Sequence, residues 1–527
     1  MNWLLPGVFI VCYAVFLVYR LFIPFGPYGL TTALDWDEGF GTSTALKLLE
    51  ERTILIGGFY DWGPFYFYME AAAFALYDTV SAVAGFDVGD YLDYEPYVIV
   101  SRFLSLFFTT GALAVLYVYA KNTYGRSTAV LAVLFTATVP VFQRYAVTVR
   151  PDAPNVFFVV TALSAAALSL RGQRRLVYFA AASAGFSFTV KLTGLTLLPF
   201  IIVAAAAPFI GKTYTGDARF RRILLITVLV VTIFIAAALI SAPVIVLDPV
   251  GFAKGFYHVS YITTSGLMFK YSANPLLWLP KILSLQNGGP VIPVVFVATC
   301  VILAAWAFAT RRLRAFEVVL SPRVLPVAWA FVYFLFFFLL VRNRMPRYVL
   351  PVLPFFALTT AFVLTELARR RPIYRALAVG TVAVALIASV YSSATALVKL
   401  KSHVESARSV AEWFELYVKP GSAVGKTHNA YAPSYGYEDV RVHSLDDLYE
   451  NRPAVLVTDS TTEKTYENPN RASDLQRGEK SFNRFHKLFK ALTEGEADGY
   501  YEAAAFGRFT IYAREDVGPG ESETRAF

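Results

Sequence analysis

Asp35-Trp36-Asp37-Glu38-Gly39-Phe40 sets two carboxylates side by side just beyond the first apolar segment of the chain. Acids next to a membrane segment are costly unless they face water or a cation. Asp37 and Glu38 are therefore the candidate catalytic acids, heading an active site at a membrane surface. A solvated turn with incidental acids is the plain alternative for the hexapeptide alone. The complementary groups are cations near the ends of later apolar runs: Arg102, Arg150, Lys191, Arg344 and Arg347. Asp152, two residues after Arg150, is placed to position a loop, a substrate or a metal. Carboxylates suit Mg or Mn, so Asp37 and Asp152 are the metal candidates if a divalent ion takes part. Nothing in the chain demands a cofactor.

The elements that must position these groups are apolar. Hydrophobic residues make up 56% of the 527 positions and charged residues 16%, and the mean hydropathy is +0.51. A soluble domain carries about 25% charged residues, so the chain reads as a multi-pass membrane protein. The net charge of +9 does not point to nucleic acid, because most Lys and Arg occupy short loops between apolar runs. Cys12 and Cys300 both lie inside such runs, which argues against a disulfide framework or a cysteine metal site. A spanning helix takes roughly 20 residues. Charge-free runs near that length cover 3–19, 103–120, 127–142, 153–170, 176–190, 192–210, 223–247, 290–310, 324–341, 348–365 and 376–398. The expectation is an all-α polytopic domain over 1–400 with about eleven spans.

Loop charge orients them. Lys121/Arg126, Arg171/Arg174/Arg175, Arg219/Arg221/Arg222, Arg311/Arg312/Arg314 and Arg369/Arg370/Arg371 fall in alternate loops, which are cytoplasmic by the positive-inside bias. The first long loop, 26–97, is strongly acidic and falls on the other side, as does a second, 248–289. The N-terminus is then cytoplasmic and the acid pair extracytoplasmic, in the plasma membrane. Within the first loop, Trp62 to Phe86 is aromatic and apolar but holds Glu70 and Asp78. It reads as a helix lying in the interface, since a twelfth span would turn every basic loop outward. From 401 the composition becomes soluble. Val404–Tyr417 reads as an amphipathic helix ended by Pro420-Gly421-Ser422, and Ala454–Val457 and Phe506–Ala513 read as strands. The expectation is a small extracytoplasmic α/β domain over 401–527, with a frayed tail.

Arg144, Arg150, Lys191, Lys254, Lys270, Arg342, Arg344 and Arg347 lie on the predicted outer side, against the bias. Snorkelling to headgroups accounts for such residues in general, and for Lys254 and Lys270 it is the better account. Lys191 differs, because its span of 15 residues reaches only about 22 Å against about 30 Å of hydrocarbon. Its ammonium should sit at or below headgroup level, where an anion is its natural partner. Arg342, Arg344 and Arg347 crowd one short turn, with Tyr348 beside them, and their mutual repulsion suggests a bound anion or nearby acids. His258 is the histidine of the membrane-embedded part, a packed residue by default and a substrate-contact candidate by position. A transporter or flippase for a lipid-linked or anionic substrate would use similar residues. It would place them at mid-membrane, often within internal repeats, whereas here they gather on one face.

The order of these motifs resembles the GT-C superfamily of integral membrane glycosyltransferases, in particular the branch of protein O-mannosyltransferases and lipid A aminoarabinose transferases. The likeness rests on Asp37-Glu38 after the first span, Arg102 before the second and Arg150-Pro151-Asp152 before the fourth. It also rests on Lys191-Leu192-Thr193-Gly194 with Pro199 at the sixth, and Arg347-Tyr348-Val349-Leu350-Pro351 with Pro354 at the tenth. It runs over essentially all of 1–400. The chain departs from many members at Asp61-Trp62-Gly63-Pro64, where they carry His-Pro-Pro or Lys-Pro-Pro. The resemblance implies sugar transfer from a polyprenyl-phosphate donor to a protein, lipid or glycan acceptor on the outer face, by inverting single displacement with Asp37 as base and Glu38 orienting the acceptor or assisting. Lys191, Arg347 and Arg344 would hold the departing phosphate. The implied partners are that donor, membrane lipids and the acceptor.

Overall fold

The computed structural model describes residues 36–56, 62–84, 95–210, 216–265, 321–341, 346–370, 372–427 and, with short gaps, 430–460 and 478–516, besides a few positions in 294–299. The expected spans over 3–19 and most of 290–310, the side chain of Asp37, and Arg342 and Arg344 lie outside the described residues. Helix α1 (Trp36–Glu50) carries the acid pair in its first turn, and α2 (Pro64–Ala84) follows with proline at its first position, where the missing N–H costs nothing. The buried face of α2 is Tyr66, Phe67, Glu70, Ala71 and Phe74. That is one stripe of a 3.6-residue period, packed with Ala45 and Leu46 of α1 and with Tyr97 and Val98.

The membrane domain continues with α3 (Glu95–Tyr124), α4 (Arg126–Thr138) and α5 (Pro140–Tyr145). The expected run over 127–142 is thus two helices, broken at Val139 because Pro140 removes a donor and restricts the residue before it. Then come α6 (Asp152–Ser169), α7 (Leu176–Val190), α8 (Leu198–Ala206), α9 (Gly216–Ser241) and α10 (Pro249–Ser265). After these lie α11 (Leu325–Leu340) and α12 (Leu353–Arg370). Among the described residues four helical stretches are long and apolar enough to cross a membrane: 96–124, 152–169, 192–209 and 217–241. Helices α4, α7 and α11 are apolar but shorter. A core of Leu116, Tyr119, Phe135, Val159, Leu163, Trp329, Phe355 and Phe356 joins α3, α4, α6, α11 and α12.

Helix α13 (Pro372–Tyr417) is 46 residues long. The expected last span and the expected amphipathic helix are one element, and the change of composition near 400 falls inside it. Backbone i→i−4 bonding continues across a change of solvent as long as no breaker intervenes. Beyond it stands a five-stranded sheet: β1 (Ala423–Lys426), β2 (Glu438–Arg441), β3 (Val455–Asp459), β4 (Tyr500–Phe506) and β5 (Phe509–Arg514). The order is β2-β1-β3-β5-β4, with β1 parallel to β2 and β3, and β5 antiparallel to β3 and β4. β3 is buried at every position. Ala407, Val410, Ala411 and Phe414 of α13 pack on this sheet through Val424, Val455 and Ile511.

Candidate active site

Two ion pairs organise the face where the predicted residues meet. The first joins Glu38 to Arg102. The Nε of Arg102 donates to Oε1 of Glu38 at 3.1 Å and Nη2 donates to Oε2 at 2.6 Å, and both residues are 2% exposed. The backbone N–H of Val149 donates to the same Oε1 at 3.0 Å. A buried pair is tolerated only when its remaining hydrogen-bonding capacity is filled, and here a fork geometry and a main-chain donor fill it. Three segments are tied at this point: the first turn of α1, the start of α3 and the turn between α5 and α6. That turn is fastened again where Ser105 Oγ donates to the carbonyl of Thr148 at 2.8 Å.

The second pair lies a few residues on. Val149 leads through Arg150 and Pro151 to Asp152 at the start of α6, and Lys191 Nζ donates to Asp152 Oδ1 at 2.6 Å. This pair is not sealed: the Asp152 side chain is 4% exposed but that of Lys191 is 24% exposed. The Lys191 ammonium also lies 5.3 Å from the centre of the Tyr348 ring, and the Arg347 guanidinium lies 5.8 Å from the same ring. Two cations therefore share one aromatic neighbour, a favourable contact for each, while their like charges leave the surroundings attractive to an anion.

Local structure explains why Lys191 is available. Helix α7 stops at Val190, and Lys191 adopts an extended backbone (φ −160, ψ 138) before a 3₁₀ turn, Leu192–Leu197. Gly194 lets this turn fold back on α7, for a Cβ there would meet the backbone N of Phe188 at 2.2 Å. Gly63 has a matching reason. A Cβ on it would lie 2.0 Å from the carbonyl oxygen of Thr189, and its N–H donates to the carbonyl of Val190 at 3.2 Å. The chain thus carries glycine in Asp61-Trp62-Gly63-Pro64 because the entry to α2 runs against the end of α7.

The other expected residues are distributed around these pairs. Arg150 is 6% exposed, and its guanidinium lies 5.8 Å from the Tyr145 ring centre. His258 is on the exposed side of α10. Among the described residues no group of three His, Cys, Asp or Glu side chains is close enough to hold a metal. Asp152 Oδ1 is engaged by Lys191. Three groups were not anticipated from the residues alone. Tyr66 donates to Glu70 Oε1 at 2.8 Å inside α2. Burial pushes the Glu70 carboxyl up to about 8, with the nearby Glu38 charge adding to it. Asn155, one turn beyond Asp152, accepts hydrogen bonds from Ser187 and Thr193. A polar side chain on an otherwise apolar helix was the visible trace of Asn155; Glu70 showed itself only as an acid in an aromatic stretch.

Residues 99–245, which hold Arg102, Arg150, Asp152 and Lys191, match the family described as dolichyl-phosphate-mannose-protein mannosyltransferase. Among solved structures the chain is similar to ArnT from Cupriavidus metallidurans bound to undecaprenyl phosphate. Identity is 15%, the match covers 96% of this chain and 98% of that one, and the TM-score is 0.54. The apo state of the same protein is similar at 14% identity with the same coverage and a TM-score of 0.50. No curated protein matches the chain in sequence. The chain therefore shares the fold of the ArnT structures, in keeping with the resemblance that the order of the motifs carried, and it is a multi-pass membrane chain.

Proposed function

We propose that the chain is a glycosyltransferase that moves a sugar from a polyprenyl phosphate to an acceptor on the outer face of the membrane. The observation that carries this reading is the half-open Lys191, backed by Asp152 and sharing the Tyr348 ring with Arg347. The likeness of fold to a protein that binds undecaprenyl phosphate supports the choice of donor. In the reaction an acceptor hydroxyl gives its proton to Asp37, and its oxygen forms a bond to the anomeric carbon. The bond from that carbon to the phosphate oxygen breaks, and the polyprenyl phosphate leaves with the electron pair, inverting the centre. Charge grows on the phosphate as the bond breaks, so cations placed there stabilise the transition state more than the ground state. A unit-charge contact at about 4 Å is worth about 4 kcal/mol at an effective dielectric of about 20. Lys191 and Arg347 take that role, with Arg344 behind them. Glu38 acts by fixing the first turn of α1, and with it the backbone of Asp37, against α3 and the Val149 turn. Arg102 serves the same purpose. Arg150 and His258 are left as contacts to sugar or acceptor, which is a protein, lipid or glycan.

The test is transfer of radiolabelled sugar from synthetic polyprenyl-phosphate sugars by the purified chain, with a transport assay in liposomes beside it. Transfer supports the reading; translocation of the intact donor with no transfer would replace it by a flippase. Orientation is tested separately in whole cells. Single cysteines at exposed Ser43 and at Ser460 are expected to react with an impermeant thiol reagent, and one at exposed Gln173 is not.

A further inference from the structure

Lys191 is held by more than its carboxylate. Asn155 lies on α6 three residues after Asp152, hence on the same face of the helix, and is 0% exposed. Its Oδ1 accepts from Ser187 Oγ at 2.9 Å and from Thr193 Oγ1 at 2.7 Å. Ser187 is in the last turn of α7 and Thr193 in the 3₁₀ turn beyond the break, so one oxygen bridges the two sides of Lys191. The main chain closes the same loop: Lys191 N–H donates to the Ser187 carbonyl at 2.8 Å, and Gly194 N–H donates to the Lys191 carbonyl at 3.2 Å. Downstream, Thr196 Oγ1 donates to the Thr193 carbonyl at 2.7 Å and accepts from Trp329 Nε1 at 3.2 Å. The Nδ2 of Asn155 has no hydrogen-bond partner among the described residues. Leaving a buried donor unpaired is unfavourable, and a leucine of similar size would fill the space without that cost. An asparagine kept at such a position needs a reason other than packing.

We infer that Asn155 is a positioning residue: with Ser187 and Thr193 it latches the break between α7 and the 3₁₀ turn and so aims the Lys191 ammonium at the anion site beside Tyr348. Without the latch the extended residue at 191 has two helix ends free to shift, and its side chain loses register with Asp152 on one side and Tyr348 on the other. The inference rests on the proposed role of Lys191 in holding the donor phosphate, but the latch itself has a consequence that needs no donor. Lys191 should become more accessible to chemistry when the latch is cut.

The experiment uses the full-length purified chain carrying Asn155→Leu, Thr193→Val or Thr193→Ser, and the Asn155→Leu/Thr193→Val pair. Two quantities are read in each: the rate at which Lys191 is acylated by a water-soluble amine reagent, followed by peptide mass spectrometry, and the donor KM and kcat with a polyprenyl-phosphate sugar. Asn155→Leu and Thr193→Val are each expected to speed acylation at Lys191 and raise donor KM by about tenfold, the scale of one hydrogen-bonded contact. The pair should do little more than either alone, since both cut one bridge. Thr193→Ser keeps the hydroxyl and should behave as the wild type. Unchanged acylation in both Asn155→Leu and Thr193→Val would overturn the latch, as would Thr193→Ser failing as badly as Thr193→Val. Faster acylation in a chain that binds no polyprenyl phosphate would keep the latch and remove the donor reading instead.

Discussion

The Glu38–Arg102 and Asp152–Lys191 pairs have the same chemistry and opposite circumstances. In the first, both partners are 2% exposed, both carboxylate oxygens are occupied and a backbone amide joins in. In the second, the acid is buried but the base keeps 24% of its side chain open beside an aromatic ring and a second cation. A sealed pair has nothing left to offer a ligand. Its worth lies in what separation would cost, because one partner alone is a buried charge without compensation. An open pair holds its cation in place and leaves part of its field outside the protein. Glu38 therefore fastens the helix, and the proposed division of labour leaves its neighbour Asp37 to meet substrate.

The largest effect should come from cutting the sealed pair. Glu38→Gln or Arg102→Met is expected to lower stability by about 3–5 kcal/mol, seen as a loss of folded, monodisperse protein and a fall in Tm in detergent. The Glu38→Met/Arg102→Met double variant should recover part of that loss, because no charge is stranded. Asp152→Asn should cost clearly less in Tm and more in transfer. Equal Tm losses in Glu38→Gln and Asp152→Asn would erase the distinction between the two pairs. Next in size is Asp37→Asn, expected to keep the fold and reduce transfer by roughly 100-fold, the scale of a lost general base. Asp35→Asn abolishing turnover while Asp37→Asn spared it would move the base by two residues.

At the open pair, Lys191→Met and Arg347→Met should each weaken donor binding and slow transfer with little change in Tm, and less than additively, as both act on one leaving group. Arg347→Lys should restore only part of the function, since an ammonium lacks the planar fork of a guanidinium. Headgroup snorkelling predicts the reverse pattern, poorer insertion and intact donor affinity in the survivors. The smallest effect concerns Glu70, beside the sealed pair. Its carboxyl is raised from an ordinary 4.5 to about 8, chiefly by burial, so folding takes up a proton between those values. The stability it contributes is complete below 4.5 and is lost as pH rises toward about 8. Glu70→Gln, neutral throughout, should flatten the Tm–pH curve across that window. An unchanged slope in the variant would show that Glu70 is ionised when folded.

The placement of the candidate residues was largely legible because charges in a membrane protein collect where helices end. The short run over 176–190 correctly located the place where Lys191 emerges, and Asp152 and Arg347 followed from the same logic. Partner choice was not legible. Arg102 stood out as a cation before a span, but nothing local tells it to meet an acid 64 positions earlier in the chain. The form of the break after Val190 was also hidden, since apolar composition reports depth and says nothing of a 3₁₀ turn that forms because Gly194 admits Phe188. In the fold, β-branched and aromatic runs pointed to strands over 454–457 and 506–513; the strands stand at 455–459 and 509–514, and the second run crosses the turn from the unforeseen strand at 500–506. The continuity of α13 could not, because Lys399, Lys401 and His403 mark a change of surroundings and leave the backbone free to go on.

That continuity has a mechanical meaning. Forty-six residues in one helix extend roughly 69 Å at about 1.5 Å per residue, more than twice the hydrocarbon thickness of about 30 Å. Because its last turns are core of the sheet domain, the helix works as a keyed shaft. One residue inserted in its middle would rotate the sheet by about 100° and raise it by about 1.5 Å. Insertions of about seven residues nearly restore the angle, close to two full turns. The angle and height of the sheet relative to the other end of the helix are therefore set in discrete steps, and length changes in this helix should be tolerated in multiples rather than one at a time.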